Sequence, residues 1–132
     1  MIYYYNIYMD INQRVDIEMS KIIITDGNII LYAELNSSLS ASDFEKRFPC
    51  TLSGLEEDGR YHFSAARGRF DPMDYRVRLE KGNLTLDHGF FSICMKDDLA
   101  AEPCMIIGQL EPESLSQLAN LPDTMNAYIC LA

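Results

Sequence analysis

Tryptophan is absent from this chain, and histidine occurs only twice, as His62 and His88. None of the four cysteines, Cys50, Cys94, Cys104 and Cys130, forms a Cys-x-x-Cys pair. A zinc site needs ligands clustered at short spacing, so no metal centre is expected. Three of the cysteines lie inside apolar runs, where a free thiol packs as a small hydrophobe, and reduced core thiols are the expectation. No apolar run approaches the roughly 18 residues that cross a bilayer. The first ten residues have no basic leader and are interrupted by Asn6 and Asp10, so no signal peptide is expected and a soluble, cytoplasmic protein is. The Gly-x-Ser-x-Gly elbow, the P-loop and the dinucleotide fingerprint are all missing. Cations are scarce as well: eleven Lys and Arg stand against twenty Asp and Glu, for a net charge of −9. Nucleic acid and anionic membranes both demand a field of the opposite sign, so neither is an expected partner.

What is present describes one ordinary globular domain. A chain of 132 residues can close a single hydrophobic core, and 48% apolar with 23% charged residues is a folded, not a disordered, composition. The scarce cations are bunched. Arg60, Arg67, Arg69, Arg76, Arg78 and Lys81 are six of the eleven, against the three acids Asp71, Asp74 and Glu80, a local excess of +3 (six minus three).

Short two-periodic segments dominate the chain. Residues 1–18, rich in tyrosine, are expected to be an extension, either an edge strand or a poorly packed segment, preceding a domain over 19–132. Lys21 to Thr25 and Asn28 to Leu35 flank Asp26-Gly27, which predicts a hairpin with a type I′ turn, since that turn needs positive φ at both central residues. Ser42 and Glu45 match a capping box, with Ser40 as an earlier alternative, for a helix over 41–48 that buries Phe44 and Phe48 and stops at Pro49. Strands are expected at 51–55 and 60–64, with a turn at 57–59 between them and Tyr61 and Phe63 on one face. A ten-residue loop over 65–74 follows, of the length that is often functional, and then a strand at 75–79 with Arg76 and Arg78 outward. Leu84 to Leu86 extends, Phe90 to Met95 is a buried strand, and 96–103 reads as an acidic loop. Cys104 to Ile107 is apolar, Pro112 suits the first turn of a helix carrying Leu115 and Leu118, and 125–131 closes the chain as a strand. The total is seven to nine short strands and two small helices.

This order of elements resembles the cyclophilin-like fold family of small prokaryotic domains of unassigned function. The matching pieces are the Asp26-Gly27 hairpin, the Phe48-Pro49 helix end, Tyr61-His62-Phe63-Ser64, Lys81-Gly82-Asn83-Leu84 leading into Phe90, and Ile106-Ile107-Gly108-Gln109-Leu110 before a Leu-rich helix. Over about residues 20–132 the resemblance implies a mostly β, closed antiparallel barrel with one or two short helices, which removes exposed sheet edges. It implies no catalytic residues. The prolyl isomerases of the wider fold place an arginine in a Phe-His-Arg strand followed by a Gln-Gly-Gly segment. Here Tyr61-His62-Phe63 is followed by Ser64, so isomerase activity does not carry over.

Among candidate chemistry, the arginine segment carries most weight. Arg60, Arg67 and Arg69 neighbour Tyr61, Phe63 and Phe70, and guanidinium groups near aromatic rings suit a carboxylate or planar anion. The expected ligand-binding residues are therefore Arg60, Tyr61, Phe63, Arg67 and Arg69; the plainer alternative is that these arginines pair with Asp71, Asp74 and Glu80. His62 reads more naturally as a structural histidine than a catalytic one. Asp87 and His88 are adjacent on an extended segment and point apart, so no dyad is expected, and Asp97-Asp98 falls short of a calcium loop. The sequence supports a binding module for a small anionic molecule or a peptide, with no cofactor expected. The rival readings are an enzyme (a degenerate prolyl isomerase, or a lyase or hydrolase) and a protein that self-associates through residues 1–18.

Overall fold

The computed structural model describes residues 19–65, 75–87 and 89–132, with the backbone alone for residues 75 and 76. Nine strands lie within them: β1 Ser20–Thr25, β2 Ile30–Leu35, β3 Cys50–Glu57, β4 Arg60–Ser64, β5 Tyr75–Leu79, β6 Asn83–Asp87, β7 Phe90–Cys94, β8 Leu99–Leu110 and β9 Thr124–Leu131. Helix α1 spans Leu39–Glu45, and α2, Pro112–Leu115, runs on into a 3₁₀ turn over Ser116–Asn120. Eight strands close a ring in the order β2-β1-β9-β3-β4-β7-β6-β8, and β8 returns to β2. All pairings are antiparallel, and β5 lies outside the ring, paired with the first half of β8. The protein is thus a mostly β, closed eight-stranded antiparallel barrel with one extra strand and two short helices.

Two-residue alternation fills the barrel. Ile22 and Ile24 from β1, Leu31, Ala33 and Leu35 from β2, and Tyr61 and Phe63 from β4 all point inward and are buried. Helix α1 adds Phe44, stacked on Phe91 with ring centroids 4.8 Å apart and met edge-on by Phe48 at 5.1 Å. At the seam Gly108 faces Leu35, and a Cβ there would run into the carbonyl of Glu34. Only glycine lets β8 come close enough to β2 to close the ring.

Strand β8 serves three partners in succession: β5 through Leu99 to Met105, β6 through Met105 to Gln109, and β2 through Gly108 to Leu110. Its first half, with β5, builds a second and smaller core from Leu79, Cys94 and Cys104, packed against Leu99, Ala101 and Ile106. Cys94 follows the inward-facing Ile93, so this second core lies on the outer side of the barrel wall.

Three local expectations are corrected. Asp26-Gly27 is not a two-residue turn. Residues 26–29 form the loop, because Asp26 Oδ1 accepts from the N–H groups of Asn28 and Ile29, both at 2.9 Å, and only Gly27 has positive φ. The two-residue type I′ turn is at Asp58-Gly59, where φ is 53° and 84° and Glu57 pairs directly with Arg60. Helix α1 starts earlier and ends earlier than 41–48: Ser38, not Ser40 or Ser42, is the N-cap, its Oγ accepting from Ala41 N at 3.1 Å. The acidic loop is shorter than 96–103, because Leu99 to Pro103 already belongs to β8. The register slips between Arg76 and Arg78, which face Cys104 and Ala100. Pro103 falls inside that irregularity, where a missing N–H is tolerated.

Candidate functional site

Strand β4 divides its side chains between two environments. Inward, Tyr61 and Phe63 stack at 5.1 Å, and the Tyr61 hydroxyl donates to the Pro122 carbonyl at 2.7 Å. Burial pushes the Tyr61 phenol pKa up, so it stays a neutral donor. Phe63 lies over Gly54 of β3, where a side chain would collide with its ring. Outward, the same strand presents Arg60, His62 and Ser64, alongside Thr85 and Asp87 of β6 and Ser92 of β7.

These outward groups form a largely buried polar network. Arg60 Nη2 donates to Thr85 Oγ1 at 2.7 Å and to Asp87 Oδ1 at 3.3 Å. The side chains of this ion pair are only 12% and 11% exposed, so solvent screens it weakly. Arg60 Nε is buried with no partner among the described residues. His62 Nδ1 lies 2.8 Å from Ser92 Oγ, and its ring meets Phe90 edge-on at 5.5 Å. Burial, and then the Arg60 charge, lower the His62 pKa from its ordinary 6.5, outweighing Asp87, Glu57 and Asp58. At neutral pH the imidazole is uncharged.

Ser92 bears on which nitrogen of His62 holds the hydrogen. Its hydroxyl is fully buried, and Nδ1 is its one partner among the described residues. If Nδ1 were the donor, the serine O–H would be buried without an acceptor, at a cost of roughly 1–3 kcal/mol. That cost favours Ser92 as the donor to Nδ1, with the imidazole hydrogen on Nε2.

His62 also lines a groove of about 610 Å³ on the outer wall of β9, β3, β4 and β7, within the size range of small-molecule sites. Its apolar surfaces are Leu55 and Phe90, 47% and 42% exposed, with Met125 below. Its polar edge includes Ser64, Glu57, and the pair Ser53 and Asn126, whose Oγ and Oδ1 are 2.7 Å apart. Among the described lining residues there is one carboxylate, Glu57, and neither lysine nor arginine.

Of the five residues expected to bind ligand, the three that are described, Arg60, Tyr61 and Phe63, do not share one face. Arg60 sits on the outer wall beside the groove but is turned toward Asp87 and Thr85. Tyr61 and Phe63 are fully buried in the barrel core, because the two-residue period places them opposite Arg60, and an outer-wall ligand cannot reach them. Arg67 and Arg69 lie outside the described residues, as do Asp71, Asp74 and His88. Arg78, 57% exposed at its side chain, pairs with Asp98 at 3.0 Å. Leu55, Phe90 and Asn126 were missed because they come from strands far apart in sequence. The usable signal was the outward phase of each strand, where large apolar residues such as Leu55 stand among polar ones.

Elsewhere, no group of three or more His, Cys, Asp or Glu side chains is placed to hold a metal among the described residues. The four cysteines are free, and burial raises the pKa of Cys50, Cys94 and Cys104, keeping them thiols. No helix among the described residues is long and apolar enough to cross a membrane.

Comparison with known proteins places the architecture in the class of closed β-barrels. The solution structure of the hypothetical protein AF2241 from Archaeoglobus fulgidus is similar, with a TM-score of 0.62 at 10% identity over 86% of this chain and 95% of that one. The structure of McbB in complex with tryptophan gives a TM-score of 0.59 at 12% identity, over 81% of this chain and 44% of that one. At such identities the likeness concerns the fold alone. No family model and no curated protein matches the chain.

Proposed function

We propose that this chain is a cytoplasmic ligand-binding module on a cyclophilin-like barrel, with residues 1–18 as an extension to a 19–132 domain. It takes a small organic molecule or a peptide in the His62 groove. The observation that carries the reading is the pairing of exposed Leu55 and Phe90 with His62, whose ring is held by Ser92. A concave, mostly apolar surface with a few placed polar groups is the usual form of a binding site. The cyclophilin-like kinship draws on the order of motifs from Asp26-Gly27 to Ile106-Ile107-Gly108 and on the closed barrel. The similar structure of McbB contains tryptophan, which agrees with a small-molecule role without locating it. Of the arginines expected to prefer an anion, Arg60 is engaged by Asp87 and Arg67 and Arg69 lie outside the described residues, so the reading here rests on the described lining, whose one charged group is Glu57. No observation favours an enzyme over a binding module.

Protein-observed NMR with a library of small organic molecules and short peptides tests the proposal. Binding should move the amide signals of Leu55, His62, Phe90 and Asn126 together, and the response should be lost in His62→Phe. Ligands that perturb only other surfaces, or a library that leaves these four signals still, would overturn it.

A further inference from the structure

We infer that the groove selects an uncharged carboxamide attached to a flat apolar group; this deepens, and rests on, the binding role proposed above. Two polar groups set the complement. His62 offers an N–H donor at Nε2, because buried Ser92 occupies Nδ1. Glu57 offers an acceptor on the same outer face: Leu55 pairs with His62 and Glu57 with Arg60, so Glu57 is the diagonal neighbour of His62. Such neighbours have Cα atoms about 7–8 Å apart, close enough for one small group to meet both side chains.

A ligand group that satisfies both must accept from the imidazole and donate to the carboxylate. A carboxamide does so in one plane and without net charge. A carboxylate ligand would accept from His62 but confront Glu57 with like charge, and no lysine or arginine among the described lining residues offsets that repulsion. Arg60 is not free to help, being bonded to Thr85 and Asp87. An amidinium would satisfy Glu57 while setting donor against donor at His62. Leu55 and Phe90 bound the apolar part of the groove, and the edge-on contact of Phe90 with His62 holds that wall beside the donor.

Benzoate, benzamide and benzamidine share ring and shape but carry negative, zero and positive charge, and each can be titrated into the full chain by NMR. Benzamide should bind at least about tenfold more tightly than either partner, one hydrogen bond and one repulsion being worth that much. Benzoate or benzamidine binding as tightly as benzamide would overturn the carboxamide inference and leave the groove as a binding site. If the three are silent while other molecules shift the groove signals, the inference alone falls; if nothing shifts them, the binding role falls too. N-acetylphenylalaninamide separates the sources of the amide. Tighter binding than benzamide indicates a peptide ligand and weaker binding a small molecule, both within the inferred class. Ring ¹⁵N spectra of the unliganded chain should show the His62 hydrogen on Nε2, and a hydrogen on Nδ1 would overturn the inference without any ligand. Ser92→Ala should weaken benzamide about fivefold with the fold intact by amide spectrum; unchanged affinity in a folded variant counts against it.

Discussion

The two sides of β4 contrast most sharply. Inward, Tyr61 and Phe63 belong to an aromatic stack that needs only burial and shape. Outward, Arg60 and His62 are held by partners from β6 and β7, some 25 to 30 positions later in the chain. A strand with one face in a core and one face free would ordinarily expose that second set to water. Here the first half of β8, with β5, adds a second core on the outer side of the wall, and the adjoining polar groups are buried too. Most of them find a partner, since a buried and unsatisfied group is costly, with Arg60 Nε the exception among the described residues. The inner face is specified by composition, and the outer face by contacts.

Breaking the inner face should have the largest effect. Phe63→Ala removes a fully buried ring from the main core, and urea denaturation should show a loss of about 3–5 kcal/mol; a loss under about 1 kcal/mol would mean the barrel interior collapses around the gap. Arg60→Ala tests the outer network. It strips a charged partner from Asp87, whose side chain is 11% exposed, and should cost about 2 kcal/mol in the same assay. An effect within the scatter of exposed positions would show that the ion pair is solvated. The smallest effect concerns pH. The folded-state pKa of His62 is depressed below 6.5, so folding disfavours its proton. Its contribution to stability is fully present above pH 6.5 and is lost as pH falls below that value toward the folded pKa. The decline in melting temperature from pH 7.5 to pH 5.5 should therefore be shallower in His62→Gln, and parallel declines would remove His62 from the pH response.

Much of the barrel was legible because its signals are local. Tyr61 and Phe63 share a face by simple alternation, Pro112 starts a helix, and Phe44 meets Phe48 as expected, although Phe48 lies beyond the helix end. The failures involve signals that distant contacts override. Asp-Gly occurs in two hairpins, yet the two-residue turn forms at Asp58-Gly59, while at residues 26–29 the Asp26 carboxylate captures two amides and lengthens the loop. Leu99 to Pro103 looked like a loop because it contains an acid and a proline, but pairing with β5 and a register slip accommodate both. Of the site, only Arg60 was anticipated beside the groove. His62 was weighed as a structural histidine, a reading that its bond to Ser92 does not test, and its position in the groove was not foreseen. Leu55, Phe90 and Asn126 carry no motif.

From the order of residues alone come the period of each strand, the greasy interior that those periods imply and the acidic character of the chain, since all three depend on near neighbours or on simple counts. Which strands lie side by side was decided by the folded barrel. Register brings Ser92 to His62 and sets Glu57 diagonally across from it, and Gly108 permits the close approach that closes the ring. A histidine that lines the groove with its ring held by a serine exists only after those distant pairings are made, because no single segment contains both residues.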